Sequence, residues 1–247
     1  MVRKIVLIFL LIMVSGFFIA LKFDLLPERV TYLIEYSRCK ILYTLGKAGT
    51  GENYESSRPS ERFHRRSVSP DIPLSEIMSS RDLKADDNIN IHIDIETRTL
   101  FLKYKDETLK KYRIAAGSMT DKGNKQREGD YRTPRGSFYI CTKDIYSPPK
   151  GYLGSRWMLL SYPDTSAAER GLASEMISQD VYNEIIEANK KMEIPPQNTL
   201  LGSAIGIHGG ARPDLSKDWT AGCIGVYNQD VEEIFEFVKV GTKVVIE

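Results

Sequence analysis

Three deficits limit what this chain of 247 residues can do. Its 34 basic and 33 acidic residues nearly cancel, and a net charge of +1 gives no general attraction to nucleic acid. Three cysteines are too few for a disulfide scaffold. No internal repeat is present, which argues against a solenoid or propeller. The remaining composition, 42% hydrophobic and 27% charged, is that of a globular domain and excludes disorder of the entire chain.

A long hydrophobic run lies near the N-terminus. Residues 5–21 contain no charge, and Arg3 and Lys4 precede them. This length is close to the minimum for a helix that crosses about 30 Å of hydrocarbon, and the basic flank favours a cytoplasmic N-terminus. Residues 16–23 are bulky where a cleavage site needs small residues. We therefore predict a signal-anchor helix over residues 1–22, with a cleaved signal peptide as the alternative. Either reading exports the rest of the chain.

The next two segments differ in composition. Residues 24–46 carry apolar side chains at helical spacing between Pro27 and Gly46, which predicts a helix near the membrane. Residues 47–87 are rich in Ser, Arg and Pro, and this predicts a flexible linker.

Residues 88–247 are predicted to form a mainly-β catalytic domain. Isoleucines alternate with polar residues from Ile89 to Ile95, and two turns with further alternation predict a β-meander up to Ala116. A helical insertion is predicted over Ser178–Met192, because a serine cap precedes its apolar periodicity and prolines follow it. Further strands are predicted over residues 138–142, 157–161, 204–207 and 243–246, with a short helix over 230–238.

Two glycine-flanked segments contain residues that could catalyse acyl transfer. Ile205-Gly206-Ile207-His208-Gly209-Gly210 ends an apolar strand with a histidine, and Thr220-Ala221-Gly222-Cys223 places a cysteine after a glycine. A thiol needs a nearby base to become the attacking thiolate. A glycine before the cysteine lets backbone N–H groups turn toward a developing oxyanion. The alternatives are a structural histidine and a cysteine that is merely a small buried hydrophobe.

Several motifs resemble one family in order and spacing. His-Gly followed, about fifteen residues on, by Thr-x-Gly-Cys resembles the signature of the L,D-transpeptidase (YkuD-type) catalytic domain. Residues 129–138, GDYRTPRGSF, are similar to that family's G-D-x-x-T-P-x-G-x-F segment. Residues 195–199, 218–220 and 228–230 are similar to its murein L,D-transpeptidase branch.

The resemblance implies a fold and a set of site residues. The implied fold is a mainly-β sandwich of mixed sheets with a helical insertion. Cys223 is the implied nucleophile, and His208 is its acid/base, oriented by the Gly209 carbonyl. Backbone N–H groups at Gly222 and Cys223 form the implied oxyanion hole. The positions expected at the donor peptide are Gly210, Trp219 and Thr220, with a purely anchoring role as the alternative for Trp219.

Two positions depart from the family pattern. Many members carry His or Arg before the Gly-Cys pair and Arg or Asn two residues after the cysteine, whereas this chain has Ala221 and Gly225. These two departures concern substrate preference rather than the chemistry. No metal or cofactor is predicted, because His208 and Cys223 lack further zinc ligands at usable spacing. Cys141, among Phe138, Tyr139 and Ile140, is expected to pack in the core.

The function implied by the resemblance is peptidoglycan L,D-transpeptidation, which forms 3→3 or protein–wall cross-links in the cell envelope. The implied partners are the donor and acceptor stem peptides, with the membrane contacted through the anchor and no nucleic acid. One alternative keeps the same acyl-enzyme but resolves it with water, as an L,D-carboxypeptidase or a hydrolase of stems or of wall-attached lipoprotein. A non-catalytic wall-binding protein is a further alternative, for which loss of the cysteine or the histidine would be expected.

Overall fold

The computed structural model describes residues 72–84, 88–211 and 218–247. The anchor predicted over residues 1–22, the helix predicted over 24–46 and most of the predicted linker lie outside these ranges. In the described part of the chain, no helix combines the length and apolar character needed to cross a membrane.

A single mixed sheet organises the described residues. The eight strands formed by the described residues are β1 (Ile89–Asp94), β2 (Thr99–Tyr104), β3 (Glu107–Arg113), β4 (Gly136–Lys150), β5 (Gly154–Leu160), β6 (Gly206–His208), β7 (Ile224–Gly225) and β8 (Lys243–Ile246). Their order in the sheet is β3-β2-β1-β8-β4-β5-β6-β7, with β1·β8 and β6·β7 parallel and the other pairs antiparallel.

The mainly-β, mixed character predicted from the sequence is confirmed. The described strands pair in two groups, β3-β2-β1-β8-β4 and β4-β5-β6-β7, which share β4 and so form one continuous strand order. Strand β4 belongs to both halves: residues 136–139 pair with β8, and from Ile140 onward the strand pairs with β5. A register irregularity falls between Ile140 and Thr142, where the partner strand changes. Hydrogen bonding is therefore continuous across all eight described strands, because one long strand serves both halves.

The predicted meander is present as β1, β2 and β3. The isoleucines at 89, 91 and 93 are buried while the residues between them are partly exposed. The strand predicted over 204–207 is shifted to Gly206–His208. The reason is Ala204, whose φ of +51° lies in the left-handed region, where a residue cannot continue a strand.

The described residues form a short 3-10 helix, Thr120–Lys122, and four α-helices: α1 (Leu74–Ser80), α2 (Thr165–Ala173), α3 (Gln179–Lys191) and α4 (Asn228–Phe237). Helix α3 confirms the predicted insertion, and its predicted cap is observed, since Ser178 Oγ accepts a hydrogen bond from the Val181 N–H. The short helix predicted over 230–238 corresponds to α4. Helix α2 was not predicted, although Asp164 caps it by accepting from the Ala167 N–H.

Helix α1 corrects the extent of the predicted linker. It lies within residues 47–87, yet Leu74 and Met78 are buried on one face of it. Glu233 of α4 accepts hydrogen bonds from the Leu74 N–H and the Tyr112 hydroxyl. Leu74 and Met78 are four residues apart, about one helical turn. Two apolar residues in an otherwise polar segment are too few for the sequence to indicate a helix.

One hydrophobic core underlies both halves of the sheet. It joins buried side chains of β1 and β8 with those of β5, β6 and β7, and α4 covers it with Val231 and Ile234. Strands β6 and β7 are short and lie at one end of the strand order, next to the predicted catalytic residues.

Candidate active site

His208 is the last residue of β6 and is completely buried. Its Nδ1 lies 2.7 Å from the Gly209 carbonyl oxygen. A carbonyl only accepts hydrogen bonds, so Nδ1 carries the ring proton and Nε2 presents its lone pair. Nε2 has no hydrogen-bond partner among the described residues. The ring is therefore fixed in the tautomer that a general base requires.

Burial determines the charge of this histidine. Removing the ring from water lowers the pKa of His208 to about 4, against a smaller opposing effect from the Gly209 carbonyl. The imidazole is consequently neutral at neutral pH and able to accept a proton.

Three aromatic rings account for this burial. The rings of Tyr152, Trp157 and Trp219 lie 5.1, 5.7 and 5.5 Å from the His208 ring, centroid to centroid. Trp219 meets the imidazole edge-on, and Tyr152 meets Trp219 edge-on at 5.1 Å. Sequence reasoning identified Trp219 but missed Tyr152. It also missed Trp157 as a site residue, although His208 is paired with Trp157 across β5 and β6.

Cys223 immediately precedes β7 and is 6% exposed. Its Sγ donates a hydrogen bond to the Ala204 carbonyl at 3.4 Å. Buried Thr220 braces the turn, because its hydroxyl donates to the Cys223 carbonyl at 2.6 Å and accepts from the Gly222 N–H at 3.2 Å. Thr220 is completely buried, so its hydroxyl organises the turn rather than projecting outward.

Gly222 has a conformation that demands glycine. Its φ is +136°, and a Cβ there would lie 2.6 Å from the Arg132 carbonyl oxygen. Its N–H group, an expected oxyanion donor, donates to the Thr220 hydroxyl in this structure.

Strand pairing brings the two key residues together. Ile207 pairs with Ile224 and His208 with Gly225 in parallel register, and the Val226 N–H donates to the His208 carbonyl at 2.9 Å. Cys223 directly precedes β7, two residues before Gly225. His208, the last residue of β6, and Cys223 therefore belong to two segments that this pairing joins.

Asn228 organises the glycine turn after His208. Its Oδ1 accepts hydrogen bonds from the Gly210 N–H at 2.9 Å and the Ser155 N–H at 3.1 Å. It thereby ties the turn to β5 and to the start of α4. Asn228 belongs to a motif that carried the family resemblance, but the motif did not reveal this role.

An ion pair anchors the start of the cysteine turn. Asp218 accepts hydrogen bonds from the Arg98 guanidinium, at 3.0 and 3.1 Å from Nε and 2.6 Å from Nη2, and another from the Ala116 N–H at 2.8 Å. The bonds to Asp218 raise the pKa of Arg98 above its ordinary value, despite partial burial. Arg98 lies in the β1–β2 turn, too far along the chain for any local motif to indicate this contact.

Cys141 differs from Cys223 in its surroundings. It lies on β4, is half-buried rather than in the core, and contacts the Tyr139 carbonyl at 4.0 Å. Desolvation raises the pKa of its thiol to about 12, so it is protonated and a poor nucleophile at neutral pH.

This geometry agrees with the comparison with protein families. Residues 88–246 match the YkuD family, the L,D-transpeptidase catalytic domain, so the chain belongs to that family. The eight described strands and the paired histidine and cysteine segments all fall within the matched residues, whereas α1 precedes them. No curated protein sequence matches the chain.

The chain also resembles solved structures of three bacterial proteins at low sequence identity. Bd1075 of Bdellovibrio bacteriovorus is 18% identical with a TM-score of 0.41, covering 65% of this chain and 48% of that one. The helical cell shape determining protein Pgp2 of Campylobacter jejuni is 22% identical with a TM-score of 0.42, covering 70% and 53%. An L,D-transpeptidase of Xylanimonas cellulosilytica is 15% identical with a TM-score of 0.39, covering 71% and 70%. The match therefore spans about half the length of the first two proteins.

Proposed function

We propose that this chain is a peptidoglycan L,D-transpeptidase in which Cys223 is the nucleophile and His208 the general acid/base. The observation that carries the proposal is the state of His208. It is buried, its Nδ1 proton is held by the Gly209 carbonyl, and its Nε2 is without a partner among the described residues. A cysteine on the adjacent strand is the group such a base would serve.

The first half-reaction forms a thioester. Nε2 of His208 takes the Cys223 thiol proton, and the thiolate attacks the carbonyl that follows the L-centre of the donor stem. The C–N bond then breaks as His208 returns the proton to the departing D-amino acid. In the second half-reaction, an amine of an acceptor stem displaces the thiol and gives a 3→3 cross-link. When the acceptor amine belongs to a protein, the product is a protein–wall link.

The developing oxyanion needs N–H donors close to the sulfur. We assign this role to the Gly222 and Cys223 N–H groups. The Gly222 N–H would exchange its 3.2 Å bond to the Thr220 hydroxyl for a bond to the oxyanion. That exchange favours the transition state over the resting state, since the bond given up is long for N–H···O.

Trp219 and Gly210 are assigned to the donor site. Trp219 is partly exposed while its ring contacts His208, so it can contact both the base and a bound peptide. Gly210 is also partly exposed, at the end of the turn that Asn228 holds.

The test compares the full chain with single variants on tetrapeptide muropeptides, with products and enzyme weighed by mass spectrometry. We expect Cys223→Ala and His208→Ala to abolish both the acyl-enzyme and turnover. Cys141→Ala is the matched control and should retain activity. Undiminished turnover by Cys223→Ala would refute the assignment.

The same experiment separates the acceptors. Cross-linked dimers indicate amine acceptance, whereas shortened monomers alone would identify an L,D-carboxypeptidase or hydrolase acting through the same thioester. We also propose that residues 1–22 anchor the protein with its catalytic domain outside the cytoplasm. A mature N-terminus near residue 20–25, found by terminal sequencing, would replace the anchor with a cleaved signal peptide.

A further inference from the structure

Gln197 forms a bridge whose three hydrogen bonds all go to backbone groups. Its Oε1 accepts from the Ala204 N–H at 2.8 Å. Its Nε2 donates to the Tyr162 carbonyl at 2.8 Å and to the Pro195 carbonyl at 2.9 Å. Both ends of the amide are thus engaged, and the side chain links the segment after β5 to the segment that leads into β6.

Ala204, the residue that Gln197 holds, has an unfavourable backbone conformation. Its φ of +51° is disfavoured for a residue with a Cβ, so surrounding contacts must maintain it. Gln197 fixes its N–H, and the next residue is fixed because the Leu160 N–H donates to the Ile205 carbonyl at 2.8 Å. The direction of the Ala204 carbonyl follows from these two restraints.

That carbonyl accepts the hydrogen bond from Cys223 Sγ, at 3.4 Å. The Nε2 of His208 receives no hydrogen bond from any described residue. In this structure, the thiol hydrogen is therefore directed at a carbonyl rather than at the base. A carbonyl oxygen stabilises a thiol that donates to it and opposes the negative charge of a thiolate.

We propose that Gln197 is a positioning residue, which holds the Ala204 carbonyl against the Cys223 thiol and so keeps the resting nucleophile protonated. The inference rests on the proposed role of Cys223. Donor binding then has to draw the thiol from Ala204 toward His208, so that the thiolate forms when a peptide is present. Other polar groups near the turn are Tyr152, whose hydroxyl accepts from the Ala221 N–H, and Arg132, whose carbonyl borders Gly222.

The test is the pH profile of Cys223 alkylation by iodoacetamide in the full chain without substrate, followed on the Cys223 peptide by mass spectrometry. Gln197→Met keeps the side-chain length and removes all three hydrogen bonds. We expect the midpoint of its profile to fall by about 0.5 pH unit, as loss of one hydrogen bond to the neutral thiol implies. Well below the midpoint, alkylation should be about threefold faster than in the unmodified chain.

A rescue variant distinguishes positioning from general loosening. Glycine adopts a positive φ at no steric cost, so Gln197→Met combined with Ala204→Gly should move the midpoint back toward its original value. Gln179→Ala, an exposed glutamine of α3, is the matched control and should leave the profile unchanged. If circular dichroism shows that the methionine variant does not fold, Gln197→Asn is the second variant, because its side chain is one methylene shorter and its oxygen does not reach the Ala204 N–H.

An unchanged midpoint in a folded Gln197→Met or Gln197→Asn variant overturns the inference. So does a shift that Ala204→Gly does not reduce. These results do not depend on turnover, so they are separate from the tests of the proposed function, in which the role of Cys223 fails if Cys223→Ala remains active on muropeptides.

Discussion

A side chain at position 225 would overlap the ring of Trp219, so substitution of Gly225 tests the packing of the site. A Cβ on Gly225 would lie 2.7 Å from Trp219 Cζ2, 3.0 Å from Cε2 and 3.2 Å from Nε1. Non-bonded carbon atoms are most stable at about 3.5–4.0 Å, so the indole would have to move by roughly 1 Å. The tryptophan ring thus fills the space that a side chain at position 225 would need.

The expected cost follows from that overlap. Overpacking of this kind destabilises a protein by about 1–3 kcal/mol, and we expect that loss for Gly225→Ala. Trp219→Ala removes the obstructing ring and should cost about 2–3 kcal/mol, since the ring is partly exposed. The double variant should lose no more free energy of unfolding than Trp219→Ala alone. The coupling between the two substitutions is then about 1–3 kcal/mol.

The measurement is urea unfolding of the full chain in a mild detergent, followed by circular dichroism. Gly151→Ala is the matched control, because a Cβ at Gly151 meets nothing within 4 Å. It should be neutral or stabilise by up to about 1 kcal/mol. Additive costs in the double variant, or a Gly225→Ala variant as stable as Gly151→Ala, would refute the shared-volume argument.

The site makes four further predictions. A carbapenem should acylate Cys223, seen as an intact-mass adduct that His208→Ala abolishes; an adduct of undiminished yield in that variant would remove the histidine from the attack. Because burial lowers the pKa of His208 to about 4, kcat/KM should fall on the acid side near pH 4 rather than near 6.5. The free energy of unfolding should be at its full value above pH 6.5 and should fall by about 3 kcal/mol as the pH drops toward 4, because the unfolded chain binds a proton that the buried imidazole does not. His208→Asn should remove this dependence. Asn228→Ala leaves the Gly210 and Ser155 N–H groups without their acceptor and should reduce turnover at least tenfold; full turnover would contradict a role in holding the turn.

Much of the local structure was predictable because it depends on neighbouring residues. Alternating isoleucines from Ile89 indicate the first strand, and Ser178 with the prolines after Met192 indicates α3, since pleat, helical period and capping are short-range effects. The glycine-flanked motifs indicated His208 and Cys223 for the same reason.

The surroundings of those two residues were decided by tertiary structure. Tyr152 and Trp157 reach His208 only because β4 and β5 fold back beside β6, and this placement lowers the pKa of the imidazole. Arg98 meets Asp218 from a turn far away in the chain. Such contacts join residues that no periodicity links, and their geometry depends on how the sheet closes over one core.

By itself, the sequence determined which residues could react, since a thiol and an imidazole in glycine-flanked turns have that chemistry wherever the chain places them. Only the tertiary structure decided the position, protonation and orientation of these two side chains. Strand pairing put Cys223 beside the strand of His208, aromatic burial made the imidazole neutral, and the left-handed Ala204 turned a carbonyl toward the thiol. The physical reason is that protonation and orientation depend on solvent exclusion and on distant backbone dipoles, which exist only once the chain has folded.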